Sequence, residues 1–282
     1  SMVHGNEVGS LPGLIKVMEA LKSGELRYGG RITFFVGNPE AGRQGKRFLE
    51  ADLNRVFLDR DEDLHEIRRS RKIMPILDDC DVYIDFHQTI LETATPFYIN
   101  VWREDLWHWA RAIAATPAWV TSPPGQAFSP GTRCADEYVR DLGRPSLTIE
   151  LSQAGFSPEA EALAISSMHK TLALADQIAG GAQIEELAQS EPDLVFYQTM
   201  HREPFSTGEH ALEPGKINFG SCRQGELLSA PESPELVAPM SGKLLFPKYP
   251  ERDADGSALE PMPGEIFHVI QRMEAHPFEL WG

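Results

Sequence analysis

The chain has 282 residues, of which 41% are hydrophobic and 24% charged, enough apolar material for one large α/β domain plus a smaller module. That composition excludes disordered, collagenous and solenoid architectures. With 26 Lys and Arg against 42 Asp and Glu, the net charge of −16 argues against a broad phosphate-backbone footprint, and no nucleic-acid partner is expected.

Leu11, Leu14, Ile15, Met18 and Leu21 recur at three- and four-residue steps behind Pro12, which predicts an amphipathic helix over 11–21. A strand is expected at Arg31–Gly37 (RITFFVG). Residues 38–55 hold Gly42, Gly45 and several basic residues with little apolar period, so they read as a long loop of the kind that carries function. Helical spacing returns over Asp61–Asp79 through Leu64, Ile67, Ile73 and Leu77. Strands are expected at Asp81–His87, Pro96–Val101 and Pro145–Leu151, with helices over Glu104–Ala115, Arg133–Leu142 and Pro158–Ile178. This alternation is the signature of a wound α/β sheet with flanking helices.

Beyond the Gly180-Gly181 pair the text becomes rich in Pro, Gly and short β runs, such as Val237–Phe246 and Pro261–Ile270. The expected division is a catalytic α/β domain over residues 1–188 and a β-rich C-terminal domain over 189–282. Cys80, Cys134 and Cys222 lie far apart with no CxxC pair, so a reducing compartment is the default. No apolar run reaches the roughly 20 residues of a membrane-spanning helix, and a cytoplasmic protein without a membrane partner is expected. The first motif begins at His4, so a preceding strand or targeting segment stays open, as does a homo-oligomer.

His4 and Glu7 stand three residues apart just before the first helix, where an imidazole and a carboxylate can converge on one cation. The alternative is a solvated or helix-capping pair. His87 ends a β-rich run, at the edge where wound sheets place their ligand crevices, although a plain strand-end histidine fits equally. Asp85, two residues earlier on the same face, is suited to orient an imidazole or to accept backbone donors. Glu150 lies inside the apolar run SLTIEL, where an ionised carboxylate is costly unless it is functional or paired, for example with Arg144. Arg47, Asn54 and Arg55 cluster in RFLEADLNRVF, and Arg is suited to bidentate carboxylate recognition; the alternative is a solvated basic loop.

Taken in order, HGNE, RxxExDLNRxF, DFH and IEL resemble the succinylglutamate desuccinylase/aspartoacylase family, relatives of the zinc carboxypeptidases. The resemblance covers the N-terminal two thirds at motif level, and the extra β module is also expected for it. It implies a zinc carboxypeptidase-like wound mixed sheet, one Zn²⁺ per chain held by His4, Glu7 and His87, and Glu150 as general base and acid. It further implies that Arg47 polarises the scissile carbonyl, that Asn54 and Arg55 hold a substrate carboxylate, and that Arg140 adds a further carboxylate contact. The run Leu151-Ser152-Gln153-Ala154-Gly155 departs from the Gly-Pro-Gln of aspartoacylases, and no late tyrosine can be placed after His268.

The activity this resemblance implies is zinc-dependent hydrolysis of the amide bond of a small N-acyl amino acid. Two further readings stay open: a metallocarboxypeptidase acting on peptides, since one zinc site and Asn/Arg pair would serve both, and a non-catalytic zinc- or ligand-binding protein.

Overall fold

The computed structural model describes residues 1–126, 129, 131–249, 254 and 264–282. In the run Tyr83–Thr89, strand β1, side chains alternate between two apolar layers, as the period of two requires. Ile84 and Phe86 enter one layer, and Tyr83 the other. The further strands are β2 (Phe97–Ile99), β3 (Ala118–Thr121), β4 (Ser146–Gln153), β5 (Val195–Pro204), β6 (Ser221–Cys222), β7 (Gly242–Leu245) and β8 (Glu265–Arg272). They form one mixed sheet in the order β1-β4-β2-β3-β5-β8-β7-β6. The β1–β4, β2–β3 and β3–β5 pairs are parallel, whereas β2–β4 and the pairs joining β5 through β8 and β7 to β6 are antiparallel.

Helices cover both faces, so the central strands read as near-continuous apolar runs. On one face, α1 (Leu11–Ser23) and α6 (Pro158–Ala179) bring Leu14, Val17, Ala160 and Ala164 onto Phe86, Leu147, Ile149 and Leu151. Small alanines along α6 let the helix lie close to its neighbours. Its start is set by Ser157, whose hydroxyl accepts from Ala160 N at 3.0 Å, followed by Pro158 in the first turn. Helix α4 (Glu104–Ile113) joins this layer around buried Trp102 and Trp119. Each fully buried large side chain of this kind contributes about 1.5–3 kcal/mol.

On the other face, α3 (His65–Leu77) and α5 (Ala135–Asp141) pack Ile67, Ile73, Leu77, Ala135 and Val139 around Tyr83. The remaining helices, α2 (Pro39–Arg43), α7 (Ile184–Gln189) and α8 (Pro277–Trp281), are short. Strands β5 to β8 carry the sheet onward, and a separate cluster around Leu228, Leu244, Ile266, Phe267 and Val269 fills the far end. Phe97, Val120, Phe219, Leu245 and Ile270 bridge the two ends.

Three sequence expectations need correction. Residues 31–36 are extended but form no ladder: their neighbours Gly37 and Asn38 make backbone hydrogen bonds to Ser1 and Met2 at 2.8 and 2.7 Å, too few contacts for a paired strand. The 38–55 loop contains α2 and a 3-10 turn at Leu53–Arg55, nucleated by the side chains of Asn38 and Asp52. Strand β3 was not expected, because AWVT is too short and uniformly apolar to show a period. Of the expected Pro261–Ile270 run, residues 261–263 lie outside the described residues.

Candidate active site

The site is built where β1 and β4 run side by side. Their parallel register sets His87 opposite Glu150, and β2 sets Phe97 against the other side of Glu150. Neighbours in register project to the same face, so the strands themselves set these two side chains side by side without any loop to bring them together. Both are buried.

His4 and Glu7 arrive from the turn preceding α1. This turn is pressed onto the basic loop: Gly5 N donates to Arg47 O at 2.8 Å, and a Cβ on Gly5 would lie 2.5 Å from Gly42 N and 2.6 Å from Lys46 O. Only glycine fits that approach. The Glu7 carboxylate then sits between two imidazoles, with His4 Nδ1 at 2.8 Å from Oε1 and His87 Nδ1 at 2.9 Å from Oε2. It also accepts from Arg47 Nη1 at 3.0 Å and from Gln88 N at 3.1 Å. Burial alone would raise the Glu7 carboxyl, but His4 and His87 outweigh it and hold it well below the usual range.

Behind each imidazole stands a second carboxylate. Asp85 Oδ2 lies 2.9 Å from His87 Nε2, and Asp52 Oδ1 lies 3.0 Å from His4 Nε2. Burial would lower His87, but Asp85 and Glu7 push it well above the usual imidazole range. Burial would raise Asp52, yet His4, Arg47 and Arg55 hold it far down. Asp85 was anticipated. Asp52 was not, because it is 48 residues from His4 and reads as an ordinary turn residue, which it also is: Oδ1 accepts from Asn54 N at 2.9 Å.

Glu150 differs from these acids. Its Oε2 is buried without a hydrogen-bond partner, and no salt bridge among the described residues reaches it. Burial is the main cause that lifts its pKa to about 8, with Glu7 adding to the rise and His87 and Arg47 opposing it. Arg144, the alternative partner, instead donates to the carbonyls of Asp78 and Cys80 at 2.5 and 2.8 Å, closing the end of α3.

The loop that carries Arg47 and Asp52 is organised by a residue with no sequence signal. Glu66 of α3 is buried and accepts from Leu49 N (2.7 Å), Glu50 N (3.1 Å), Ala51 N (3.0 Å) and Asn38 Nδ2 (2.9 Å). Farther along, Asn54 Oδ1 accepts from Ala135 N at 2.9 Å, so the oxygen of this amide caps the first turn of α5. Arg55 Nη1 donates to Asn54 O at 2.7 Å and to Cys134 Sγ at 3.4 Å. Arg140 ends α5, with Nη2 at 3.2 Å from Asp141 and Nη1 at 3.9 Å from Glu137, and these contacts do not reach the His4–Glu7–His87 group.

Lys248, whose Nζ donates to Glu265 O at 2.9 Å, feels the charges of the arginines. Burial lowers its ammonium pKa, and the charges of Arg47, Arg55 and Arg202 lower it further against the opposing pull of Glu265. Two residues earlier, Phe246 meets Phe97 with tilted rings, 6.1 Å between ring centres.

His4, Glu7 and His87 could hold a metal ion: one ligand atom from each lies within 4.8 Å of the others, and all three residues are buried. The donor set fits Zn²⁺, since two nitrogens and one carboxylate are its usual protein ligands and both imidazoles are backed by acids that orient them. Arg47 Nη2 lies 2.8 Å from His4 Nε2, and an arginine only donates, so Nε2 is the acceptor in this arrangement. Coordination through Nδ1 calls for the other tautomer, with Nε2–H turned to Asp52.

Fold and site thus define a mixed α/β protein with a buried His–Glu–His group at the carboxyl edge of its sheet. Residues 2–178 match the succinylglutamate desuccinylase/aspartoacylase catalytic domain, and the chain belongs to that family. A succinylglutamate desuccinylase of Pseudomonas paraeruginosa is 30% identical over 168 residues, 54% of this chain and 49% of that protein. The chain therefore spans about half the length of this relative (49%). Among solved structures, a succinylglutamate desuccinylase of Vibrio parahaemolyticus superposes with a TM-score of 0.71 at 17% identity, covering 97% of this chain and 80% of that one. Murine aminoacylase 3 superposes at 0.63 and 16% identity, covering 97% and 93%. The sheet and flanking helices agree with the fold the motifs implied.

Proposed function

We propose that this protein hydrolyses the amide bond of a small N-acyl amino acid, with one Zn²⁺ held by His4, Glu7 and His87. The observation that carries this reading is the buried, unpartnered oxygen of Glu150 beside His87. A polar atom left unsatisfied in the interior costs about 1–3 kcal/mol, an expense that a binding scaffold has no use for and a proton-transfer group does.

Bound there, Zn²⁺ supplies Lewis acidity that makes water more acidic and a carbonyl more electrophilic. Glu150, beside His87 in the strand register, takes the proton of the attacking water and later delivers it to the departing amine. Arg47, already 3.0 Å from Glu7, turns its guanidinium to the carbonyl oxygen as negative charge develops there, and so acts on the transition state more than on the neutral amide. Asn54 and Arg55 hold the substrate carboxylate, with Arg140 adding a further contact to it. Lys248 adds positive charge to this pocket, which the net charge of −16 would otherwise make hostile to an anion.

The division near residue 188 into a catalytic part and a β-rich part is part of the same proposal, as is a small-molecule substrate in the cytoplasm. The test is metal analysis of the purified protein followed by N-acetyl, N-succinyl and peptide substrates assayed side by side. Release of free amino acid from N-acyl substrates, abolished by chelation and restored by Zn²⁺, is expected. Hydrolysis of peptides alone would favour a carboxypeptidase, and no hydrolysis by the zinc-loaded protein would reject an enzyme.

A further inference from the structure

Gln88 follows His87 and points to the opposite face of β1, where only 3% of it is exposed. Its amide is fully engaged. Oε1 accepts from Gly9 N at 2.7 Å and Gly155 N at 3.3 Å, while Nε2 reaches Gln153 O at 2.7 Å, Gly155 O at 2.9 Å and Ser152 Oγ at 3.2 Å. Its backbone N–H donates to Glu7 Oε2 at 3.1 Å. The ladder breaks at this point: His87 pairs with Glu150, but the next pair is Thr89 with Gln153. Two residues of β4, Leu151 and Ser152, therefore face the single residue Gln88, a bulge of the kind that re-aims side chains beside active sites.

One side chain thus ties the turn that follows Glu7 to the strand end that follows Glu150. These two acids come from segments far apart in sequence and repel each other when both are ionised, so their separation must be imposed by the scaffold. We propose that Gln88 is the positioning residue that sets the distance between Glu7 and Glu150; the proposal rests on reading His4, Glu7 and His87 as a metal site. An amide suits this task because it presents an acceptor and a two-proton donor side by side. A carboxylate would face the carbonyls of Gln153 and Gly155 with no proton to offer. Gly9 is part of the device, since a Cβ there would lie 2.4 Å from Gln88 Nε2 and 2.8 Å from Gly155 O.

The test compares Gln88→Met, which keeps length without polar atoms, with Gly9→Ala, which leaves Gln88 in place but displaces its amide. Zn²⁺ affinity of the chelator-stripped protein is measured by competition with a chromogenic chelator, alongside the thermal midpoint. Each variant should remain folded and bind Zn²⁺ about tenfold or more weakly, as loss of a partner that orients a ligand does. At saturating Zn²⁺, kcat on an N-acyl amino acid should fall with little change in KM, and the double variant should be no worse than the poorer single one.

Wild-type Zn²⁺ affinity and kcat in either folded variant would overturn the proposal, as would fully additive losses. If Gln88→Met does not fold, Gly9→Ala decides alone. A wild-type protein that binds no Zn²⁺ overturns this proposal together with the metal reading. Zn²⁺ affinity that depends on Gln88 in a protein that hydrolyses no N-acyl amino acid overturns the function alone.

Discussion

His87 and Glu150 are direct neighbours in the parallel register of β1 and β4, the first paired on both ring nitrogens and the second with a buried oxygen that has no partner. On the proposed reading, a satisfied imidazole beside an unsatisfied acid is a division of labour: one holds position while the other exchanges a proton. Glu150→Gln preserves shape and removes the ionisable carboxyl. A fall in kcat of about 10²–10⁴ is expected with zinc content unchanged, read by steady-state kinetics and elemental analysis on the same sample.

The same residue gives the metal-free protein a pH signature. Its folded pKa of about 8 stands above the usual 4.5, so the stability it contributes is fully present below about 4.5 and is lost as pH rises through about 8. Urea midpoints of the chelated wild-type protein should therefore decline between pH 5 and pH 8.5. Glu150→Gln should flatten that decline, and parallel curves for the two proteins would show that another group controls it.

Asp52 and Asp85 hold the outer nitrogens of the two histidines. Replacing either with Asn weakens the acceptor that fixes the tautomer, and Zn²⁺ affinity should drop about 10–100-fold in each case. Asp52→Asn carries the sharper test, because nothing near it in sequence marks it as part of the site.

Glu66 holds three consecutive loop amides, and its carboxyl lies below the usual 4.5 because these donors and Asn38 overcome the effect of burial. A depressed folded pKa contributes stability above about 4.5 that is lost as pH falls through the folded value, so Glu66 adds to acid sensitivity. Glu66→Leu should cost about 3 kcal/mol at neutral pH through unsatisfied donors. It should also reduce kcat/KM by freeing Arg47, whereas a variant that is destabilised but fully active would separate the loop from catalysis.

On the proposed reading, Arg55 holds the substrate carboxylate and the charge of Lys248 adds to the field of the arginines there. Arg55→Ala should raise KM by about tenfold or more, as loss of a charge-assisted carboxylate contact does. Lys248→Met should raise it less, with a weaker salt dependence of KM than the wild type. Unchanged KM in both would place the substrate carboxylate elsewhere.

Much of the candidate site could be read from the chain because its residues sit in short, local patterns. HGNE places an imidazole and a carboxylate one turn apart, DFH ends a strand with its supporting aspartate two residues away, and IEL puts an acid where only a paired or working one is tolerated. The helices over 11–21 and 158–178 were equally plain, since their apolar period and terminal Pro and Gly signals are local. The strand at 31–37 was misread for the complementary reason: β-rich text shows that a segment can pair, not that a partner lies beside it.

What the amino acids determined by themselves is the chemistry available, namely two imidazoles, two carboxylates and a basic loop on a wound α/β frame, because residue type and short-range period are properties of the text. Tertiary structure alone decided which groups stand beside which. Asp52 was drawn behind His4, Glu66 beneath the basic loop and Gln88 between two distant turns, while the Arg140 side chain pairs with Asp141 and Glu137 of its own helix. Those outcomes depend on long-range register and on burial, which fix both the distance between groups and the dielectric that sets their charge, and neither can be read from residues in a line.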